Sequence, residues 1–116
     1  METLKTLSGK DFQYKEIIEG EIIVYPSDDK SQLQEKFALV VTLFTINLVK
    51  NSIKQNKHIF MGASRDNPPK NSLGYILKKE KQTPQQLSYL IPILIKNNFC
   101  TYYKKGKAFI VQYEGE

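Results

Sequence analysis

The run from Lys36 to Lys50 (Lys-Phe-Ala-Leu-Val-Val-Thr-Leu-Phe-Thr-Ile-Asn-Leu-Val-Lys) constrains this chain most. It is the longest apolar stretch, it contains no Gly or Pro, and a lysine closes each end. It falls short of the roughly 18 apolar residues that a membrane span needs, and it carries Thr42, Thr45 and Asn47. Its Val, Ile and Thr content favours a strand. A buried helix also fits, because the periodicity of a continuous apolar run does not decide between the two. As a strand it has two alternating sets: Phe37, Leu39, Val41 and Leu43 on one face, and Ala38, Val40, Thr42, Phe44, Ile46 and Leu48 on the other. One set fills a core. The other is too apolar for a solvated face and calls for a cover. A helix beginning at Pro84, bases stacked on Phe44 and a subunit partner are the candidates, with a subunit contact favoured for part of that face.

The rest of the chain is read around that run. Phe12 to Tyr25 reads as one strand bent at Gly20, since an isolated glycine in a strand marks a bulge or bend. Residues 1–10 are a short strand or a lead-in. Pro26 to Ser31 is a loop by composition, with Asp28 and Asp29 as turn residues. Asn51 to Lys57 is a polar connection, and His58 to Ala63 is a short strand. A loop at Ser64 to Ser72 leads to a strand at Leu73 to Lys78, so that the two strands frame a hairpin. Thr83 and Pro84 open a helix: a capping threonine, then proline at the first helical position. Leu87, Leu90, Ile91, Leu94 and Ile95 form its apolar face, Pro92 kinks or breaks it, and Asn97-Asn98 ends it. Phe99 to Tyr113 is a hairpin turning at Lys105-Gly106.

At 116 residues, with 41% apolar residues, six Phe and seven Tyr, the chain is sized for one domain, 1–116, with one small core. The expected fold class is mainly β with one helix. Its architecture is an OB-fold-like five-stranded Greek-key barrel, with the helix between strands 3 and 4. A helix on a curled sheet of another topology is the competitor. Barrel closure also removes exposed edges from a chain this rich in strand formers. The single cysteine, Cys100, makes no internal disulfide, which points to a reducing compartment. The opening Met-Glu-Thr-Leu-Lys lacks the layout of a signal peptide. A cytoplasmic setting is expected.

Catalytic chemistry finds little support. One His and one Cys do not make a zinc site of ordinary spacing, and no cofactor is expected. His58 reads as structural or surface. Cys100 reads as a buried thiol rather than a nucleophile. Gly62-Ala-Ser has no phosphate-loop pattern. Glu16, Glu19 and Glu21, on one strand without a histidine or a second acidic cluster, make no hydrolase site. The chain is expected not to be an enzyme.

Charge is the remaining signal. The net charge is +5, and it is unevenly spread. Residues 1–49 hold five lysines against eight acids, a balance of −3. Residues 50–81 hold eight basic residues against Asp66 and Glu80, a balance of +6. Residues 82–116 hold four lysines against Glu114 and Glu116, a balance of +2. A basic centre suits a polyanion, although a lysine-rich surface kept for solubility gives the same count. Aromatics interleave with the basic residues: Phe60 between Lys57 and Arg65, Tyr75 between Lys70 and Lys78, and Tyr102-Tyr103 before Lys104-Lys105. Single-stranded nucleic acid is held by this combination, with cations on phosphates and rings stacked on bases. The candidate phosphate contacts are Lys50, Lys54, Lys57, Arg65, Lys70, Lys78, Lys104 and Lys105. Phe60, Tyr75 and one of Tyr102 or Tyr103 are the candidate stacking residues, since neighbours on a strand point to opposite faces.

The size, the strand order, the basic centre and the stretch His58-Ile-Phe-Met-Gly-Ala-Ser-Arg-Asp-Asn-Pro-Pro resemble the single-stranded DNA-binding proteins of lactococcal phages. The resemblance implies an OB-fold and sequence-tolerant binding of single-stranded DNA in phage replication or recombination. It also implies a homodimer or higher homo-oligomer and, for a phage product, the host cytoplasm. Cellular proteins of this function share a long acidic tail with an apolar tip. This sequence ends at Gln112-Tyr-Glu-Gly-Glu116, so tail-mediated recruitment is not expected. Two other readings stay open: an interaction protein that inhibits a host nucleic-acid enzyme, and an RNA-binding OB module.

Overall fold

A computed structural model of the chain describes residues 2–17, 20–26, 38–63 and 68–115. Of the expected loop at Pro26 to Ser31, Pro26 ends a strand paired with Phe12, while Ser27 to Ser31, with Asp28 and Asp29, lie outside these residues, as do Lys36, Phe37, Glu19 and the Ser64 to Asn67 part of the second loop.

Seven strands and three helices are described, in the order β1 (Glu2–Lys5), β2 (Asp11–Glu16), β3 (Ile22–Pro26), β4 (Leu39–Val41), α1 (Leu43–Asn56), β5 (His58–Phe60), α2 (Leu73–Lys79), α3 (Leu87–Lys96), β6 (Cys100–Lys105) and β7 (Ala108–Tyr113). A 3₁₀ turn, Pro84–Gln86, leads into α3. The described strands form two antiparallel sheets, ordered β1-β2-β3-β4 and β5-β7-β6, which do not close into one barrel. The fold is mixed α/β rather than mainly β with one helix.

The central run divides in two. Leu39–Val41 pairs with β3, and Val41 is fully buried. Thr42 then caps a helix: its Oγ1 accepts the Thr45 backbone N–H at 3.3 Å. Thr45, Ile46, Val49, Ser52 and Ile53 form the buried stripe, the three- and four-residue spacing of a helix facing a core. The expected strand through Lys50 and the expected connection at Asn51 to Lys57 are therefore both replaced by α1. The helical period becomes clear only when Ser52 and Ile53, past the closing lysine, are counted with the run. Lys57 ends the helix at φ 65°, its N–H on the Ile53 carbonyl at 2.9 Å.

Two further expectations are corrected. Phe12 to Tyr25 is a hairpin and not one bent strand. Glu16 pairs with Ile22, the Ile17 N–H donates to the Glu21 carbonyl at 2.9 Å, and Gly20 sits in the turn at φ 83°. Glu16 and Glu21 therefore do not share a strand. Leu73 to Lys78 is helical and frames no hairpin with His58 to Phe60. Ser72 is the cap, with its Oγ accepting the Tyr75 N–H at 3.1 Å, and Leu73 and Leu77 turn inward one helical turn apart.

The C-terminal half follows its local signals. The Thr83 Oγ1 accepts the Gln85 N–H at 3.3 Å, and Pro84 takes the first position. α3 continues through the buried Pro92 to Lys96 and is capped by Asn97. The β6–β7 hairpin turns at Gly106, φ 65°. α3 is buried around much of its circumference (Leu87, Leu90, Ile91, Pro92, Ile93, Leu94) and touches both sheets, through β1 and β6. One buried cluster runs from Phe12, Val24 and Val41 through Ile53, Leu77, Leu90 and Ile91 to Val111. Burial of these side chains, each contributing roughly 1.5–3 kcal/mol, is the main stabilising term.

A polar clamp ties β1 to α3. Lys96 Nζ and the Tyr14 hydroxyl both donate to Glu2 Oε2, and Lys96 Nζ lies 3.4 Å from the Tyr14 oxygen. The hydrogen bond from Lys96 holds the Glu2 carboxyl below its usual range. The bond to Glu2 holds the Lys96 ammonium above its own, and burial pushes the Tyr14 phenol up. Glu2 favours the folded state above its ordinary range and loses that effect as the pH falls through its lowered value. Lys96 favours it below its ordinary range and loses it as the pH rises through the raised one. Both side chains are well exposed, so the effect is small. Glu2→Gln is expected to flatten the acid limb of the stability–pH curve, read by urea midpoints from pH 3 to 7. An unchanged acid limb would show that the clamp does not couple to folding.

Candidate nucleic-acid interface

The three-stranded sheet positions the candidate residues. Registers across β5-β7-β6 align Phe60 with Ile110 and Tyr103, and His58 with Gln112 and Thr101. Partners in register share a face, so one face presents His58, Phe60, Ile110, Tyr103 and, one pleat on, Lys105. The opposite face carries Ile59, Val111 and Cys100 into the core.

Over the first face lies an open cleft of about 400 Å³. His58, Phe60, Ile110, Tyr103 and Lys105 form its floor. Lys70, Asn71, Ser72 and Ile76, from the start of α2 and the turn before it, form one wall, and Asn56 at the end of α1 closes a corner. Ser72 holds that wall in place. It bridges Phe60 in parallel register, and its Oγ donates to the Pro69 carbonyl at 2.6 Å. Two glycines set the spacing where β5 meets α2. Gly62 has φ 61°, and the Gly74 N–H donates to the Met61 carbonyl at 3.0 Å.

The aromatic part of the cleft is ordered by local contacts. The Tyr103 hydroxyl and His58 Nδ1 are 3.3 Å apart, and the rings meet edge-on at 6.0 Å. Tyr103 is 42% exposed, so its remaining ring surface is open to a ligand. Among the described residues no Asp or Glu lines the cleft, whereas Lys70 and Lys105 both do. The cleft thus offers apolar and aromatic surface, amide and hydroxyl groups, and positive charge. Its volume falls in the roughly 300–1,000 Å³ range of small-ligand clefts.

The structure brings Phe60, Lys70, Tyr103 and Lys105 together and separates the other candidates. Tyr102 lies on the opposite face, edge-on to Phe109 at 5.8 Å, with Lys104 Nζ 5.5 Å from the Phe109 ring. Lys50 and Lys57 sit over Phe99 and Tyr113, at 5.2 and 4.8 Å from the ring centres. Lys54 is exposed on α1, and Lys78 is exposed on α2. Tyr75 is half-buried on α2, with Lys79 Nζ 5.9 Å from its ring. Arg65 lies outside the described residues. His58, Asn56 and Asn71 were not among the candidates, because the register that joins His58 to Tyr103 spans 45 positions and has no local signal.

Among the described residues no group of three His, Cys, Asp or Glu side chains is placed to hold a metal. Burial, with the Glu114 carboxylate adding to it, pushes the Cys100 thiol up to about 12, so it stays protonated at neutral pH. No described helix is long and apolar enough to cross a membrane. No protein-family model matches the chain, and no curated protein or solved structure is similar to it.

Away from the cleft, Val40, Leu43 and Phe44 are exposed together at the β4–α1 junction, Phe44 by 55%. The part of the central run that wants a cover is this junction, and not one whole face of a strand.

Proposed function

We propose that the protein binds single-stranded DNA without catalysis, with the cleft floored by Phe60 and Tyr103 as its principal contact. The observation that carries this reading is the convergence of Phe60, His58 and Tyr103 with Lys70 and Lys105 from separate segments of the chain. A base stacks on the exposed Tyr103 ring or on Phe60, a contact worth about 1–3 kcal/mol per base. Lys70 and Lys105 hold the flanking phosphates. Neither kind of contact depends on base identity, so the binding is sequence-tolerant. Exposed rings serve unpaired bases and not a stacked duplex. The resemblance read from the His58 to Pro69 stretch in the sequence implies a role in phage replication or recombination, in a host cytoplasm. An OB-type arrangement of the strands belongs to that likeness alone.

The test is a fluorescence-anisotropy titration with oligo-dT and with duplex of equal length, at two salt concentrations. Single strands are expected to bind more tightly, and log K to fall with log salt by about 0.7 for each phosphate held. Absence of binding at low salt, or a preference for duplex, would overturn the proposal. An RNA oligomer of equal length in the same titration separates the RNA-binding reading.

Self-association is the second part of the proposal. Val40, Leu43 and Phe44 make an exposed apolar surface that a second copy of the chain would cover. Phe44→Asp is expected to shift a dimer to monomer in sedimentation. A wild-type protein that sediments as a monomer at high concentration would remove this part.

A further inference from the structure

A second cleft of about 250 Å³ also has Phe60 among its lining residues, so Phe60 belongs to both clefts. We infer that the second cleft takes the neighbouring nucleotide of the same single strand, so that Phe60 separates two consecutive bases. This inference rests on the single-strand reading of the first cleft and extends it.

Three observations carry it. Among the described residues the second cleft is lined by hydroxyl groups (Thr6, Ser8, Ser88), apolar surface (Met61, Phe109) and the charged side chain of Lys107, with no acid. It thus repeats the chemistry of the first cleft on a smaller scale. The hairpin turn then divides its cations between the two, Lys105 lining the first cleft and Lys107 the second. Neither lysine makes an ion pair among the described residues. Between them Gly106 is open: a Cβ built there meets nothing within 4 Å. A phosphodiester crossing the turn at Gly106 has a cation on each side, and no side chain at Gly106 blocks it. A ring set between adjacent bases replaces the stacking that they lose when the strand parts around it.

The test uses oligo-dT with a single 5-iodouracil moved one position at a time, photocrosslinked to the wild-type protein, together with titrations of Lys107→Glu and Tyr103→Ala. Crosslinks to Tyr103 from one position and to Phe109 from the adjacent one are expected, with Phe60 reached from both. Lys107→Glu is expected to lower the salt slope by about 0.7. Crosslinks confined to Tyr103 and Phe60, with Lys107→Glu binding like wild type while Tyr103→Ala binds more weakly, would overturn the second site and leave the first standing. Wild-type protein that binds no single strand would overturn both.

Discussion

Gly74→Ala is expected to destabilise the protein by about 3 kcal/mol or more, the upper part of the range for forcing extra atoms into a packed interior. The sign makes this a sharp test. Replacing a helical glycine by alanine ordinarily gains about 1 kcal/mol. Here the added methyl group would lie 1.7 Å from the Gly62 carbonyl oxygen and 3.1 Å from the Pro68 Cβ. The backbone has little room to retreat, because the Gly74 N–H is bonded to the Met61 carbonyl and Ser72 is bridged to Phe60. Gly62 offers no relief from the other side. Its φ is 61°, and a Cβ there would fall 2.3 Å from the Ser72 Oγ. Urea denaturation measures the effect as a lower midpoint at unchanged slope. In thermal melts each kcal/mol corresponds to roughly 4–8 °C for a domain near this size. A neutral or stabilised Gly74→Ala protein would mean that α2 and the β5 exit are not packed as described. The cleft wall that begins at Lys70 would then lose its support.

The second large effect is on binding. Lys70→Glu combined with Lys105→Glu is expected to abolish oligo-dT binding at moderate salt, and to lower the salt slope by about 1.4 wherever binding can still be measured. Both lysines are exposed, and neither is ion-paired among the described residues, so the thermal melt of the double variant should match wild type. Lys50→Glu with Lys57→Glu changes the net charge equally. Those lysines sit over the rings of Phe99 and Tyr113, and neither lines the cleft. Their reversal is expected to weaken binding far less. Equal losses from the two pairs would show a diffuse basic surface in place of a cleft, and the proposed site would fall.

What was legible in the sequence was local. The turn at Gly106 needs a positive φ, which glycine adopts without strain. The start of α3 needs a capping hydroxyl and a residue without a free N–H, and Thr83-Pro84 supplies both. Lys70 and Lys105 stood out as basic, and Phe60 and Tyr103 as aromatic, from composition and spacing alone. The errors fell where the deciding force was not local. Val40, Val41 and Thr42 carry strand propensity into a run whose second half is helical. Propensity differences of a few tenths of a kcal/mol per residue yield there to the burial of Ile46, Val49 and Ile53. Thr42 counted as a strand former because of its branched side chain. In the fold, that hydroxyl is the cap that ends strand pairing and begins α1. Leu73 to Lys78 misled in the same way, with Ser72 as the overlooked cap.

By itself the sequence determined the kinds of group available: a basic, acid-poor middle, aromatic residues beside lysines, and hairpin and helix starts written in glycine, proline and threonine. Tertiary structure alone decided which of those groups meet. Register across β5-β7-β6 puts Phe60, Ile110 and Tyr103 on one face and turns Tyr102 to the other. The close approach of Gly62 and Gly74 brings Lys70 to the same cleft. The physical reason is range. Caps and turns are set by bonds between residues a few positions apart. A cleft shared by His58 and Tyr103 is set by the burial of Ile59 and Val111 on the far side of the same sheet.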